Sequence, residues 1–555
     1  MSSVCRPAGS SGSSLKSDPA GISRLLSQEN SASEIKKKRS EKGRSGALKG
    51  QLDLWCYDMN RRNVWASYTR EQEKAAMEFA EEYKAFLNVS KTERECIDTI
   101  VNEAEMNGFR ELSELIRTGT PLQTGDKVYS VWMNKTVVLF KIGSEPLEKG
   151  LNILGAHLDS PRIDVKQNPL YEDSGLAYLD THYYGGIKKY LYVTIPLALH
   201  GVIVRKDGMT TILNIGEDED DPVFFISDLL IHLSQELMQK KASGVVEGEA
   251  LDLVVGHKPF IIDNTKKDDE DEPYDETLTD GQRITVRKEK EEGAEKKKLS
   301  GAVKRGILAI LRDEYGICEE DFISAELEIV PAGKARDAGF DRSMVLAYGQ
   351  DDRVCAFPSL RAIEEVGDVE RTACCILVDK EEIGSVGATG MQSHFFENAV
   401  AEVMNLTGEY SELKLRRCLA NSCMLSSDVS SAYDPNYASA FEKKNTAFLG
   451  GGLVFNKFTG ARGKSGSNDA NAEYIAHLRA VCEEAEVIFQ TAEIGKVDLG
   501  GGGTIAYILA LYGMNVIDSG VPVLNMHAPW EATSKADIFE AKRGYIAFLE
   551  KVKSV

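Results

Sequence analysis

The feature that most constrains this chain is a repeated pairing of a short apolar run, long enough for one strand, with a cluster of ionisable residues directly after it. LNILGA (Leu151 to Ala156) leads into His157 and Asp159, and MVLAYGQ into Asp351 and Asp352. CCILVDK leads into Glu381 and Glu382, CMLSS into Asp428, and VPVLNM into His527. A lone His or Asp after a strand is usually a capped turn or a satisfied polar group. Five in the same setting point elsewhere, because open α/β sheets bind ligands outside the carboxyl ends of their strands.

The segments between these runs have helical spacing. Thr69-x-x-Gln72 reads as a capping box, with Ala76, Phe79, Ala80, Tyr83, Phe86 and Leu87 on one face of the helix that follows. Ser90-x-x-Glu93 reads as the cap of a second helix, with Ile97, Ile100, Val101 and Ala104 inward. Alternating strands and helices predict an α/β fold with a mixed sheet flanked by helices. Two stretches cannot build a core. Residues 1 to 53, rich in Ser and Gly with the run Lys36-Lys37-Lys38-Arg39, read as a disordered basic arm, and the charged stretch near 264–298 reads as a solvated loop.

The 555 residues allow two to four domains, and a net charge of -21 argues against nucleic acid or an anionic membrane as the main partner. The most apolar stretch, Tyr190 to Val204, is interrupted by Pro196 and His200 and reads as buried strands rather than a membrane span. Ten cysteines without a C-x-x-C pair favour a reduced, cytoplasmic setting.

Chemically, the clustered residues suit paired divalent metals. Two neutral imidazoles and three carboxylates offer about -3 to two ions carrying +4, and a bridging hydroxide completes neutrality. Mixed nitrogen and oxygen ligation favours Zn²⁺, with Mn²⁺ or Co²⁺ also acceptable.

Five strings, in order, resemble the motifs of the aspartyl aminopeptidase family of two-zinc metallo-aminopeptidases. They are GAHLDSPRIDVK (Gly155 to Lys166), YGQDDR (Tyr348 to Arg353), DKEEIGS (Asp379 to Ser385), SSDVSSAYDPNY (Ser426 to Tyr437) and LNMHAPWE (Leu524 to Glu531). The resemblance covers about residues 54 to 555. It implies two zinc ions per subunit, with His157, Asp351, Glu382, Asp428 and His527 as ligands and Asp351 bridging. It makes Glu381 the general base and has Asp159 orient the His157 imidazole. The implied activity is release of N-terminal residues from peptides, acidic ones among them, by a metal-bridging hydroxide. It further implies a catalytic domain at 54–160 and 335–555, interrupted by a β-rich dimerisation domain at 161–334. Dimers of this kind would assemble into a shell of twelve. Within the insert, SDLLIHL (Ser227 to Leu233) resembles a segment whose histidine enters a neighbouring subunit's site, which makes His232 a candidate oxyanion donor and substrate contact.

Two departures bear on specificity. Ser430-Ser431-Ala432 stands where many members have Ala-His-Ala. Lys457 matches a substrate-binding lysine, but Lys464 replaces a tyrosine seven residues on. Lys457, Arg462 and Lys464 would still pair with an acidic side chain. A broader two-metal aminopeptidase, a deacylase, or a non-catalytic shell or cargo protein therefore stays open. Of the other histidines, His477 reads as structural and His182 as a possible lining residue. His200, His257 and His394 have no partner cluster. The glycine run at 500–503 lacks the lysine of a phosphate loop and reads as a close backbone approach to the metals.

Overall fold

The computed structural model describes residues 63–260, 301–460 and 465–553. The expected basic arm and charged loop, with Arg462 and Lys464, lie outside the described residues.

The main sheet has nine strands. Its centre is four parallel neighbours in the spatial order 373–378, 152–157, 423–426, 515–520. In chain order these four, with Leu453–Asn456 beside the last of them, are β1 (Asn152–His157), β2 (Ala373–Val378), β3 (Cys423–Ser426), β4 (Leu453–Asn456) and β5 (Asn515–Gly520). β4 runs antiparallel to β5, and Thr136–Lys141 runs antiparallel to β2, so the sheet is mixed. Its side chains alternate between two cores. Leu154, Cys375 and Leu377 enter one core, while Ile153, Cys374 and Ile376 enter the other. The first core is closed by the helices α1 (Arg70–Val89), α2 (Glu93–Met106), α3 (Gln350–Glu365) and α4 (Lys535–Lys551), the second by Phe395–Leu406 and Glu412–Ala420. A strand buried on both faces reads as a continuous apolar run rather than an alternation, which is the pattern these segments have.

The capping box of α1 forms as read, with Gln72 N–H donating to Thr69 and Thr69 N–H to Gln72, and all six apolar residues of the expected face are buried. The second cap falls two residues later than expected. Thr92 accepts from Glu95 N–H, and the Glu95 carboxylate accepts from Thr92 N–H. The Ser90 hydroxyl bonds Thr99 instead, and Glu95 is further fixed by Lys91 N–H and His200.

After β1 the chain leaves the main sheet to build a six-stranded antiparallel sheet in the order 210–215, 197–204, 325–331, 162–173, 176–184, 253–256, with its own core. Only Leu197–Val204 of the expected apolar strands around 190–204 is a strand, while Lys189–Leu191 forms a 3-10 turn. A five-stranded sheet (336–338, 344–347, 531–534, 522–524, 430–431) then draws together the ends of the ligand-bearing segments. No described helix is long and apolar enough to cross a membrane. Of the eight described cysteines all are free, and seven are buried.

Candidate metal centre

Because β1, β2 and β3 are parallel and in register, their carboxyl ends deliver His157, Glu381, Glu382 and Asp428 to one edge of the sheet. The third sheet brings Asp351 and His527 to the same edge, since Asp351 follows Met344–Ala347 and His527 lies between Pro522–Leu524 and Glu531–Ser534. Two residues carry left-handed backbone to aim these turns, Lys380 at φ 71 before the glutamates and His527 itself at φ 64.

The two histidines face one carboxylate. His157 Nε2 lies 3.3 Å from Asp351 Oδ1 and His527 Nε2 lies 3.2 Å from Asp351 Oδ2. His527 Nε2 is also 3.5 Å from Glu382 Oε1. Two ligands bound at about 2.0–2.1 Å around a tetrahedral ion stand roughly 3.3 Å apart, so these spacings match paired donors to a metal. Donor atoms of Asp351, Glu382 and His527 lie within 4.8 Å of one another, as do those of His157, Glu381 and Glu382, and those of His157, Asp352 and Asp428. The last group is a difference from the sequence reading, which gave Asp352 no role. Its Oδ2 accepts the His157 N–H at 3.3 Å, while Oδ1 is fully buried without a partner.

The other imidazole nitrogens are spoken for. His157 Nδ1 is 2.9 Å from the main-chain oxygen of Asp159, and His527 Nδ1 is 3.0 Å from that of Gly186. A carbonyl at each Nδ1 holds a proton there and leaves Nε2, which faces the shared carboxylates, as the nitrogen that would exchange its proton for a metal. Asp159 thus touches His157 chiefly through its carbonyl. Its fully buried carboxylate accepts the N–H of Glu381 at 3.1 Å, the N–H of Glu382 at 3.0 Å and the Tyr184 hydroxyl at 3.0 Å.

Burial raises the Glu381 carboxyl to about 7, helped by Asp159 and Asp351 and opposed by the two histidines. That poises it for proton transfer near neutrality. Burial also pushes Glu382, Asp352 and Asp428 well up. For Asp351, burial is outweighed by hydrogen bonds to His157 and His527, which hold it low. For His527, burial is likewise outweighed, and Asp351 and Glu382 lift it to about 10. So many buried carboxylates around two imidazoles, one with an unpartnered oxygen, leave negative charge that divalent cations would neutralise.

Sequence reasoning passed over Glu531, although it lies within a quoted string. Buried at 1% exposure, it accepts the N–H of Asp351 at 3.0 Å and that of His527 at 2.7 Å, fastening both ligand turns together. Tyr184 and Gly186 were also passed over, and no local pattern marks them. Several expected residues make no described contact with the ligands. Lys457 pairs with Asp469, and its ammonium lies 4.1 Å from the Phe458 ring. His232 is exposed in the turn 231–233. His182 is exposed and stacks on Tyr183. His200, expected to lack partners, is buried between Glu95 and Glu217. Within the glycine run, Gly500 packs against Ile494 and Gly495, and Gly502 accepts from Gly460 N–H. His477 accepts from Lys553 N–H on a helix whose Tyr474, Leu478 and Val481 are buried, a structural role.

Residues 86–549 match the family model described as Aminopeptidase I zinc metalloprotease (M18). A protein of Clostridium acetobutylicum named "Probable M18 family aminopeptidase 1" is 55% identical over 488 residues, spanning 88% of this chain and 98% of its own. The crystal structure of aminopeptidase I from the same organism superposes with a TM-score of 0.77 at 53% identity, covering 88% of this chain and 99% of that one. An M18-family aminopeptidase structure from Thermotoga maritima gives a TM-score of 0.78 at 40% identity, covering 89% and 99%.

Proposed function

We propose, from the premise that this chain belongs to the M18 family of zinc metalloproteases and is an aminopeptidase, that it works with two zinc ions per subunit, held by His157, Asp351, Glu382, Asp428 and His527. The observation that carries this reading is the pair of Nε2 atoms at 3.3 and 3.2 Å from the two oxygens of Asp351, a spacing suited to a carboxylate that bridges. Asp352, with its orphan oxygen beside His157 and Asp428, joins the set as a further candidate ligand. Mn²⁺ or Co²⁺ would be accepted by the same donors.

Bound divalent ions would supply a Lewis acid for the scissile carbonyl and a water of lowered pKa. The chain's own groups do the rest. Glu381, raised toward neutrality by burial, takes the proton of the attacking water and returns it to the leaving amine. Asp159 keeps Glu381 and Glu382 in place through their amides. Glu531 holds Asp351 and His527 in fixed relation. The free N-terminus of a peptide finds compensation in the surplus of carboxylates, which makes the reaction an exopeptidase one. A panel of amide substrates with N-terminal Asp, Glu, Leu, Lys and Ala, assayed before and after chelation, tests this. Activity untouched by full removal of metal would refute it. A preference for Asp and Glu would support Lys457 as the specificity cation, and a flat profile would support the broader aminopeptidase reading.

The second sheet is proposed as the dimerisation domain. Val223, Phe225, Leu229, Leu230, Ile231 and Leu233 are all exposed there, a cluster of apolar surface that suits a second copy of the chain. His232 lies within this cluster, which suits a contact with a neighbouring subunit's site. A solved yeast aminopeptidase of the same fold, 20% identical, is a dodecamer, and the same assembly is proposed here, in the cytoplasm.

A further inference from the structure

We infer that the turn Tyr184-Gly185-Gly186, at the end of the second-sheet strand Leu176–Tyr184, is a positioning clamp for the metal centre of its own chain. This inference rests on the two-metal reading and adds a role to a sheet otherwise assigned only to assembly.

Three contacts carry it. The Tyr184 hydroxyl donates to Asp159 Oδ2 at 3.0 Å, the oxygen that also accepts the Glu382 amide. The Gly186 carbonyl accepts from His527 Nδ1 at 3.0 Å, so it sets the tautomer and ring plane of that ligand. Gly185, at φ 72, lies so close to Glu382 that an added Cβ would sit 3.3 Å from its Cβ and its Oε2. At Gly186 an added Cβ would sit 3.4 Å from His527 Nδ1. Gly185 thus lets main chain approach Glu382 more closely than a substituted residue would allow, whereas a Cβ at Gly186 would be in ordinary contact with the His527 ring.

The clamp is itself braced. The Arg162 guanidinium lies 4.0 Å from the centre of the Tyr184 ring. That guanidinium is fixed by Glu93 at 2.8 Å, Asp164 at 2.8 Å and Glu328 at 3.1 Å. Glu93 begins α2 of the main fold and Glu328 belongs to the second sheet, so the brace joins the two. A ring held on its face by a locked cation cannot swing its hydroxyl away from Asp159 without disturbing the brace.

Tyr184→Phe removes only the hydroxyl. Carboxylates and carbonyls hydrogen-bonded to metal ligands typically govern affinity or activity by about 10–100-fold. The variant should therefore assemble and melt like the parent, yet lose kcat by about tenfold or more with KM little changed. Its cobalt-substituted form should show a shifted visible spectrum. Gly185→Ala, whose Cβ would press on Glu382, should weaken the ion that Glu382 would hold, measured by metal content against graded chelator. Tyr183→Phe, at an exposed neighbouring ring, is the control and should match the parent. If the parent is active without metal, the two-metal reading itself fails. If the parent carries its metals, and Tyr184→Phe keeps parental kcat and cobalt spectrum while Gly185→Ala keeps both ions, the clamp is refuted. Should Tyr184→Phe misfold, the Gly185→Ala titration decides alone.

Discussion

Glu531→Gln is the perturbation whose size follows most directly from the structure. The Glu531 carboxylate is buried and takes one N–H from each of two ligand turns, Asp351 at 3.0 Å and His527 at 2.7 Å. A glutamine keeps one acceptor oxygen and turns an NH₂ toward the other amide, so one buried N–H is left without its acceptor. Losing a hydrogen bond so that a buried donor is left unsatisfied costs roughly 1–3 kcal/mol. At about 1.4 kcal/mol per tenfold, losing one corresponds to about 10–100-fold. The shape of the side chain is unchanged, so the loss should fall on the fixed relation between Asp351 and His527, and metal binding would then have to order both. Zinc affinity, measured by competition with a chromophoric chelator, should drop by about 10–100-fold at one or both sites, and kcat/KM at limiting zinc should fall in parallel. Parental affinity in a folded Glu531→Gln protein would show that the two turns do not depend on this carboxylate.

Other expectations follow from the same geometry. Asp351→Asn should release both ions together and His527→Ala chiefly one, as read by metal analysis; equal and complete loss in both would remove the bridging role. His232→Ala should keep its metals and assembly yet lose about 10²–10³ in kcat, the scale of one oxyanion donor. Mixing it with Glu381→Gln subunits, after dissociation and reassociation, should restore some activity, and no recovery in proven mixed dimers would sink the contribution in trans. His200 tests a pH effect. Burial would lower it, but Glu217 and Glu95 raise it above its ordinary value, with Lys91 also on Glu217. A raised folded-state pKa stabilises fully below about 6.5 and loses that contribution as pH rises through the folded value. The melting advantage of the parent over His200→Gln should therefore shrink as pH rises from 6 to 9, and a constant difference would contradict the pairing.

Much of this was legible in the sequence because the physics was local. Apolar strand runs such as Ala373–Val378 are continuous since both faces are buried, and His157, Glu381, Glu382 and Asp428 gather because the parallel strands before them end together. The α1 cap was legible for the same reason, whereas overlapping S-x-x-E and T-x-x-E patterns at 90–95 put the α2 cap two residues early. What stayed hidden depends on contacts distant in sequence. Tyr184 and Gly186 come from another sheet, and their spacing to Asp159 and His527 has no sequence signature. Glu531 was in view, but its role exists only because two turns converge on it. His200 gained its partners the same way, from α2 and from the segment after 210–215.

The central claim is that Glu381 moves protons at a centre it does not hold together. The direct measurement is metal content and kcat of Glu381→Gln beside the parent, on the same peptide amide. Glu381 has a carboxyl raised to about 7 by burial and lies among the His157 and Glu382 donors, with its own amide fixed by Asp159. The account predicts parental metal content, near two zinc ions per chain, with kcat lowered by at least roughly 10². Loss of metal in proportion to loss of activity would make Glu381 a ligand, and parental kcat would remove it from the reaction.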